Sequence, residues 1–343
     1  MKDEVLTGAI DALASRRDLS ADQAGAVLAR IMAGDASETQ IAAFLIALRT
    51  KGETAEEITG LARTMRDFAT PVRSSRQDLL DTAGTGGGRP TFNVSTTAAL
   101  IAAGAGCAVA KHGNRSATSL SGSADLLEAL GARLDLDPEA VGRCIDEAGF
   151  GFMFAPAHHA ATRFVVPVRR DLAVRTIFNF LGPLTNPAGA RRQLVGVSDL
   201  AYVEVLAAAL ARLGVDRALV VSSEDGLDEM STSGPTHVVE VDGGELRRFV
   251  VRPQDAGLPE ASQDAVRGGS PQDNAAITRA ILEGEPGPRA DLALLNAGAA
   301  IYAAGRADSI ADGVAAAREA VASGAAGRAL EAYVLLSGGL ARA

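Results

Sequence analysis

The spacing of hydrophobic positions divides the chain into a helical beginning and a mixed α/β remainder. Over roughly the first 70 residues apolar side chains recur at helical intervals, and one buried face is predicted from Ile41, Phe44, Leu45 and Leu48. Ser or Thr followed three residues later by Gln or Glu predicts a capping box, and this pattern begins at Ser20, Ser37 and Thr54. A small all-helical domain is therefore expected first.

From about residue 78 the pattern changes to short apolar runs, each followed by glycines and a helical period. This alternation is typical of βαβ units around a parallel sheet. Strands are predicted at 79–83, 108–110, 150–154, 194–197 and 218–221. The predicted fold class is α/β: a small all-helical domain plus a larger α/β domain with a central, mostly parallel sheet flanked by helices.

Turn residues predict where several of these elements end. Asp137 followed by Pro138 begins a helix that should stop near Gly149. Asp242 and Gly243 are predicted to form the turn of a β-hairpin within 236–251. The alanine-rich helices that close the chain are expected to end at about Leu336.

Composition narrows the class of protein. A length of 343 residues favours two domains. The formal net charge of -9 argues against a nucleic-acid partner, which needs a basic face. No apolar run approaches the length of a membrane span, and the opening residues lack a signal-peptide stretch, so we expect a cytoplasmic protein without membrane partners. Cys107 and Cys144 are expected to be buried free thiols.

The loop 84–88, GTGGG, follows a predicted strand and precedes a helix that should begin near Ser95. Its amides and the positive end of that helix suit a phosphate. The loop matches neither a P-loop, which closes with Gly-Lys-Ser/Thr, nor the dinucleotide fingerprint, which needs glycine where Arg89 stands. A glycine-rich turn without a ligand is the alternative.

The segment KHGNRSATSLSGS, 111–123, brings cations, an amide and hydroxyls into one strand-to-helix turn. Such a set favours a cradle for phosphate oxygens, with candidates Lys111, Asn114, Arg115, Ser119 and Ser123. A solvated charged loop is the alternative. For His112, support of the turn and direct contact with a ligand both stay open.

Acidic and basic residues follow in two further segments. Asp228 and Glu229 come after the run ALVVSS, where Mg²⁺ bound to a polyphosphate needs only one or two carboxylates; a solvated loop is the alternative. Arg169, Arg170 and Arg175 precede rigid Gly-Pro and Asn-Pro turns. At least one should clamp a carboxylate, and the others are expected in structural ion pairs.

Together these motifs resemble the anthranilate phosphoribosyltransferases of tryptophan biosynthesis. The resemblance runs in order along essentially the whole chain and rests on GTGG at 84–87, TFNVST at 91–96, KHGNR at 111–115, SLSGSADLLEALG at 119–131, FMFAPAHH at 152–159, VRTIFNFLGPLTNP at 174–187 and EDGLDE at 224–229. It implies a homodimer that transfers the 5-phosphoribosyl group of phosphoribosyl pyrophosphate to the amine of anthranilate. Pyrophosphate is released, and Mg²⁺ is the cofactor.

The resemblance also assigns roles to residues. It places phosphoribosyl pyrophosphate against Gly84, Gly87, Gly88, Thr91, Asn93, Val94, Ser95, Thr96, Lys111, Asn114, Arg115, Ser119 and Ser123. It places anthranilate against Gly84, Asn114 and Arg169, and Mg²⁺ against Ser95, Asp228 and Glu229. None acts as an acid or base, so positioning and electrostatics are expected to carry the reaction. The implied domains are helical 1–72, joined by about 165–190, and α/β 73–164 with 191–343.

The chain departs from the family pattern at one point. The family's loop usually reads GTGGD and is one residue longer, whereas here GTGGGRPTF lacks the acid and introduces Arg89. We hypothesise that Arg89 meets pyrophosphate oxygens directly.

Two other readings stay open. A nucleoside phosphorylase of the same architecture would act on a pyrimidine nucleoside, although Arg169 and the Asp228–Glu229 pair favour a carboxylated acceptor and a metal-bound pyrophosphate. A non-catalytic relative that binds nucleic acid would need a basic surface, which the net charge does not suggest.

Overall fold

The computed structural model describes residues 3–116 and 120–341, so the predicted site residue Ser119 lies outside the described part. The chain begins with four helices, α1 (Glu4–Ala14), α2 (Ala21–Ala33), α3 (Glu38–Lys51) and α4 (Ala55–Asp67). The predicted face of α3 is buried, because Ile41, Phe44, Leu45 and Leu48 are all at most 1% exposed.

Two of the three predicted capping boxes are complete. Ser20 and Thr54 each pair reciprocally with the residue three positions on. Ser37 caps the backbone N–H of Gln40, but the Gln40 side chain is engaged elsewhere: its oxygen accepts from the N–H of Asp3 at 3.1 Å and its amide donates to the Asp3 carbonyl at 2.9 Å. The third box is thus only half formed, because tertiary contact with α1 takes its second member.

In the described part of the chain seven strands form one sheet. They are β1 (Leu79–Asp81), β2 (Ala108–Gly113), β3 (Phe150–Phe154), β4 (Arg192–Gly196), β5 (Arg217–Ser223), β6 (Thr236–Asp242) and β7 (Glu245–Val251). The order is β3-β2-β1-β4-β5-β6-β7; the strands from β3 to β5 are parallel, and β6 and β7 add antiparallel at one edge. The mostly parallel sheet is as predicted.

The hairpin of β6 and β7 turns one residue later than predicted. Asp242 pairs with Glu245, so Gly243 and Gly244 form the two-residue turn, with φ values of 57° and 94°. A two-residue turn with positive φ at both positions matches the twist of the strands, and glycine adopts that conformation without strain.

The remaining helices are α5 (Val94–Gly104), α6 (Ser123–Ala129), α7 (Pro138–Ala148), α8 (Ala155–His158), α9 (Val166–Leu172), α10 (Phe178–Leu181), α11 (Val203–Arg212), α12 (Pro271–Leu282), α13 (Pro288–Ala303), α14 (Ile310–Ala322) and α15 (Ala325–Leu340). Asp137 caps α7 and Gly149 ends it in a left-handed conformation, as predicted. The last helix continues four residues beyond the expected Leu336. None of the described helices has the length and apolarity needed to cross a membrane.

Alternate residues of the sheet feed two separate cores. On β5, Leu219 and Val221 join a core with β1–β3, α5 and the helices at the end of the chain, whereas Ala218 and Val220 join a core with the opening helices. That second core also includes apolar residues of 165–184 and α11. The helical bundle therefore packs without a separate core of its own. Cys107 and Cys144 are buried and free, as expected.

Candidate active site

The glycine loop 84–88 and the acidic loop 224–229 interlock at the carboxyl ends of β1, β4 and β5. The N–H of Thr85 donates to the Gly196 carbonyl at 2.8 Å. A Cβ on Gly88 would collide with the Asp228 carboxylate, and one on Gly196 would collide with the Asp228 carbonyl. Glycine is needed at both positions, because Asp228 packs its carboxylate against Gly88 and its own backbone against Gly196 at the end of β4. This places exposed loop amides beside a carboxylate.

Asp228 and Glu229 are half-buried in this contact. Burial raises the pKa of Asp228, while the backbone N–H groups of Gly88 and Gly86 that face it act in the opposite direction. Burial and the neighbouring charge of Asp228 raise the pKa of Glu229, which Lys111 and the N–H of Ser95 partly offset. Two adjacent carboxylates that burial disfavours as anions are a setting in which a bound cation is stabilising.

The oxygen atoms of these residues suit a Mg²⁺ ion that also binds the phosphate oxygens of a substrate. Within 3–116 and 120–341, no three His, Cys, Asp or Glu side chains are grouped to enclose a metal. Mg²⁺ is typically bound by one or two carboxylates together with phosphate oxygens and water. Asp228 and Glu229 supply the carboxylates, and Ser95 lies beside Glu229 in the first turn of α5.

Lys111 lies inside the protein and is 1% exposed. Its ammonium donates to the Thr82 hydroxyl at 3.0 Å and to Ser95 Oγ at 3.3 Å. Burial lowers the pKa of Lys111, and the charges of Asp81 and Glu229 work against that change. The Lys111 ammonium, predicted to bind phosphate, therefore lies at the start of α5, where the charges of Asp81 and Glu229 act on it.

The start of α5 carries four other predicted site residues. Asn93 bridges two elements, because its amide donates to the Ser121 carbonyl at 3.0 Å and its oxygen accepts from Asn274 at 2.9 Å. The Thr96 hydroxyl is buried and finds no hydrogen-bond partner among the described residues. Val94 is 1% exposed and Thr91 half-buried. The helix start therefore has ordered polar groups and one unsatisfied hydroxyl.

The turn after β2 presents its cation to protein carboxylates. Asn114 and Arg115 are exposed, and the Arg115 guanidinium donates to Asp125 at 2.9 Å and to Glu128 at 2.6 and 2.8 Å. Ser123 begins α6 and is half-buried. Arg115 is thus paired with α6 in this structure, while Asn114 keeps its amide nitrogen available.

Arg169 on α9 is a cation to which the described residues offer no anion. It is half-buried, its guanidinium lies 5.5 Å from the centre of the Phe178 ring, and it has no hydrogen bond or ion pair within the described residues. Burial lowers its pKa from the ordinary value. A planar cation backed by an aromatic ring and free on its edge suits a carboxylate ligand.

The two neighbouring arginines differ from each other. Arg170 is exposed and pairs with Asp171 at 3.6 Å, as expected for a structural ion pair. Arg175 forms no ion pair with any described residue: it donates to Ser198 Oγ at 2.6 Å and to the Gly86 carbonyl at 3.1 Å. Its own carbonyl accepts from Arg49 of α3 at 2.8 Å. Arg175 therefore connects the helical bundle to the glycine loop.

Arg89 does not point freely into the site. Its Nε and Nη2 donate to Asp225 at 3.1 and 2.7 Å, and Nη1 donates to the Gln263 carbonyl at 3.3 Å. The hypothesis that Arg89 meets pyrophosphate oxygens directly is not supported by this geometry, because a protein carboxylate already occupies its guanidinium.

Asp81 is a buried charged group that the sequence did not reveal. Asp81, 0% exposed, accepts from Asn186 Nδ2 at 2.7 Å and from the N–H groups of Ala83 and His112 at 3.1 Å. It ties the end of β1 to β2 and to the Asn-Pro turn. An acid at a strand end directly before the glycine loop was the available signal, but its partner in the turn is more than 100 residues away.

His112 supports its turn through Nδ1, 3.0 Å from the Gly182 carbonyl. Its ring lies 5.1 Å from that of His159, and the Nε2 atoms of both histidines are buried with no partner in the described part of the chain. Burial lowers the pKa of His112 to about 4 and that of His159 to about 3. Both rings are thus neutral near pH 7.

Comparisons with known proteins agree with this geometry. A model of the glycosyl transferase family a/b domain matches residues 76–327, and a model of the helical bundle domain of the same family matches 7–69. An anthranilate phosphoribosyltransferase from Symbiobacterium thermophilum is 55% identical over 93% of this chain and 94% of its own length.

Solved structures match over the same extent. The anthranilate phosphoribosyltransferase of Thermus thermophilus is 48% identical, with a TM-score of 0.91 over 96% of this chain and 99% of that one. The Saccharomyces cerevisiae enzyme in complex with PRPP and Mg is 29% identical, with a TM-score of 0.89 over 99% of both chains. The same yeast enzyme in complex with 4-fluoroanthranilate has a TM-score of 0.87 over 98% of both chains. The chain belongs to the anthranilate phosphoribosyltransferase family of glycosyltransferases.

Proposed function

We propose that this chain transfers the 5-phosphoribosyl group of phosphoribosyl pyrophosphate to the amine of anthranilate. The products are N-(5-phosphoribosyl)anthranilate and pyrophosphate, and Mg²⁺ is the cofactor. The observation that carries the proposal is the interlocked pair of loops, which sets the amides of 84–88 directly against Asp228. Phosphate-binding amides and metal-binding carboxylates thereby share one site.

The phosphoribosyl half of the site is assigned to the glycine loop, the start of α5 and the turn after β2. Gly84, Gly87 and Gly88 face the pyrophosphate, and Thr91, Asn93, Val94, Ser95 and Thr96 line the ribosyl phosphate side. The Thr96 hydroxyl has no partner among the described residues and is 0% exposed, so a ligand reaches it only if the start of α5 moves. Lys111, Asn114 and Ser123 complete this half, together with Ser119. Arg115 belongs to it only if its guanidinium leaves Asp125 and Glu128 for a phosphate.

The anthranilate half is assigned to Arg169, Asn114 and Gly84. Arg169 orients the acceptor through its carboxylate, since the guanidinium has no anion of its own within the described residues. A bidentate Arg–carboxylate contact also fixes the direction of the amine.

The reaction asks little proton transfer of the protein. The aromatic amine of anthranilate is neutral near pH 7, so it attacks the anomeric carbon without a strong general base. Positive charge grows on the ribose ring and negative charge on the departing pyrophosphate, which fixed amides and cations stabilise. Asp228, Glu229 and Ser95 would hold Mg²⁺, which would supply Lewis-acid stabilisation of the leaving group.

The direct test is the fluorescence of anthranilate, followed after addition of phosphoribosyl pyrophosphate and Mg²⁺. Loss of the signal together with release of pyrophosphate is expected. A parallel reaction with thymidine and phosphate tests the nucleoside phosphorylase reading. Phosphorolysis there, with stable anthranilate fluorescence, would contradict the proposed acceptor.

The domain division, the assembly and the location complete the proposal. The helical domain comprises 1–72 joined by about 165–190, which is supported by the core that apolar residues of 165–184 share with α1–α4. A cytoplasmic homodimer is proposed through the helical part, where Val5 on α1 is 44% exposed and Ile46 on α3 is 36% exposed. Sedimentation of an Ile46→Glu variant as a monomer would support this assembly, and an unchanged dimer would contradict the interface.

A further inference from the structure

The Arg89–Asp225 ion pair joins the end of the glycine loop to the loop that carries the metal carboxylates. The side chains of Arg89 and Asp225 are 16% and 6% exposed. The backbone makes a second link at the same place, because the N–H of Arg89 donates to the Gly226 carbonyl at 3.0 Å. Removing one partner of such a shielded pair is costly, because the other charge is left buried and unpaired.

Asp225 is also the centre of its own loop. Its carboxylate accepts from the hydroxyls of Ser223 and Ser231 and from the N–H of Leu227, at 2.5, 2.7 and 3.2 Å. Leu227 directly precedes Asp228. The group that binds Arg89 therefore also sets the backbone from which Asp228 and Glu229 project.

Close packing at Gly88 makes the spacing of the two loops consequential. A Cβ on Gly88 would overlap Asp228, so the loops already touch at the residue before Arg89. A shift of either loop by a fraction of an ångström would separate the amides from the carboxylates that must act on the same pyrophosphate. Misplacement of about 1 Å is enough to cost a hundredfold in rate.

We propose that Arg89 is a positioning residue that acts through Asp225. It holds the glycine loop at the distance from Asp228 and Glu229 at which both loops engage the same magnesium pyrophosphate. In this chain a contact between two protein groups, Arg89 and Asp225, anchors the end of the glycine loop. This inference rests on the proposed function and adds a residue to it.

The test is calorimetric titration of inorganic pyrophosphate with saturating Mg²⁺ into the full-length protein. Arg89→Ala is expected to weaken pyrophosphate binding about tenfold, a typical coupling for residues in one network. Asp225→Asn is expected to weaken it as well. A direct contact between Arg89 and pyrophosphate predicts the opposite sign for Asp225→Asn, because loss of the carboxylate would free the guanidinium for the anion.

A double-mutant cycle separates the pair from general damage to the loop. The Arg89→Ala/Asp225→Asn variant is expected to bind pyrophosphate no more weakly than the weaker single variant, since each change breaks the same link. Additive losses would overturn the inference. So would unchanged binding in Arg89→Ala, or tighter binding in Asp225→Asn.

Arg76→Ala is the matched control. Arg76 forms a partly buried ion pair with Asp78 at 2.9 Å next to the amino end of β1, whereas the candidate site lies at the carboxyl ends of the strands. Asp78 keeps Arg306 as a partner at 3.0 Å, and the variant should leave pyrophosphate binding and the KM for anthranilate unchanged. Failure of the wild-type protein to bind pyrophosphate would overturn both the proposed function and this inference. Turnover of anthranilate together with wild-type-like pyrophosphate binding in Arg89→Ala would overturn only this inference.

Discussion

The two halves of the site differ in whether the protein supplies partners for their basic side chains. Around the glycine loop, Arg89 and Arg175 are bonded to protein acceptors. Away from this loop, Arg169 has no polar partner among the described residues, and neither do the Nε2 atoms of His112 and His159.

The difference suggests a division of labour between the halves. In the proposed reaction the phosphoribosyl half stabilises the charge that develops on the leaving group, and groups fixed in advance do so without reorganisation. The anthranilate half of that proposal recognises a carboxylate, and its Arg169 has no anion among the described residues. Arg175 bridges the halves, because its side chain supports the glycine loop and its carbonyl receives Arg49 of the helical bundle.

Gly88→Ala is the most direct test of the phosphoribosyl half. The added methyl group would collide with the Asp228 carboxylate and push the loops apart. We expect kcat/KM for phosphoribosyl pyrophosphate to fall roughly a hundredfold, the cost of a misplacement near 1 Å. Gly338→Ala is the control, because nothing lies within 4 Å of a Cβ at that position on α15. Activity near wild type for Gly88→Ala would show that the loops are not held at this distance during turnover.

Arg169→Ala tests the anthranilate half. Loss of a charge-assisted contact worth about 1.5–3 kcal/mol should raise the KM for anthranilate roughly 10- to 100-fold with little change in kcat. The KM for phosphoribosyl pyrophosphate should stay the same. Arg170→Ala, at the exposed neighbouring position, provides the matched control. If kcat alone falls, Arg169 does not act by holding the acceptor.

Arg175→Met tests the bridge between the halves with a side chain of similar length. It removes the contacts with Ser198 and the Gly86 carbonyl, so we expect about a tenfold rise in the KM for phosphoribosyl pyrophosphate. Ser198→Ala removes only one of these contacts and should have a smaller effect. A larger effect of Ser198→Ala than of Arg175→Met in steady-state kinetics would show that Ser198 acts independently.

The buried histidines make the free energy of unfolding of the protein depend on pH. The pKa values of His112 and His159 are about 4 and 3 in the folded protein, below the unfolded value near 6.5. Their stabilisation is therefore complete above pH 6.5 and is lost as the pH falls towards 4. At pH 5.5 each histidine should cost roughly 1 kcal/mol relative to pH 7.5.

Urea unfolding of wild type and His159→Gln at pH 5.5 and 7.5 measures this effect. The variant should lose less stability on acidification by roughly 1 kcal/mol. Taking the difference between the two proteins removes the opposite contribution of the buried carboxylates Asp228 and Glu229, whose pKa values are raised. Equal losses would mean that His159 does not remain neutral in the folded protein.

Elements whose signal is local were predictable from the sequence. The helix from Asp137 to Gly149 followed from a cap, a proline and a glycine within one segment, and the parallel strands followed from short apolar runs. The Ser37 box and the hairpin turn were only partly right. A long-range contact with Asp3 claimed the Gln40 side chain, and strand pairing moved the turn to Gly243 and Gly244.

By itself the sequence determined the fold class, the glycine loop and the order of the motifs, because each depends on residues that are close along the chain. Tertiary structure alone decided which charged groups are free. Arg89, Arg169 and Arg175 are alike in chemistry, yet they differ in their partners. Arg89 binds a carboxylate 136 residues away, Arg175 binds neutral groups, and Arg169 has no polar partner among the described residues. Ionic and hydrogen-bond partners depend on distance in space, which periodicity along a chain does not encode.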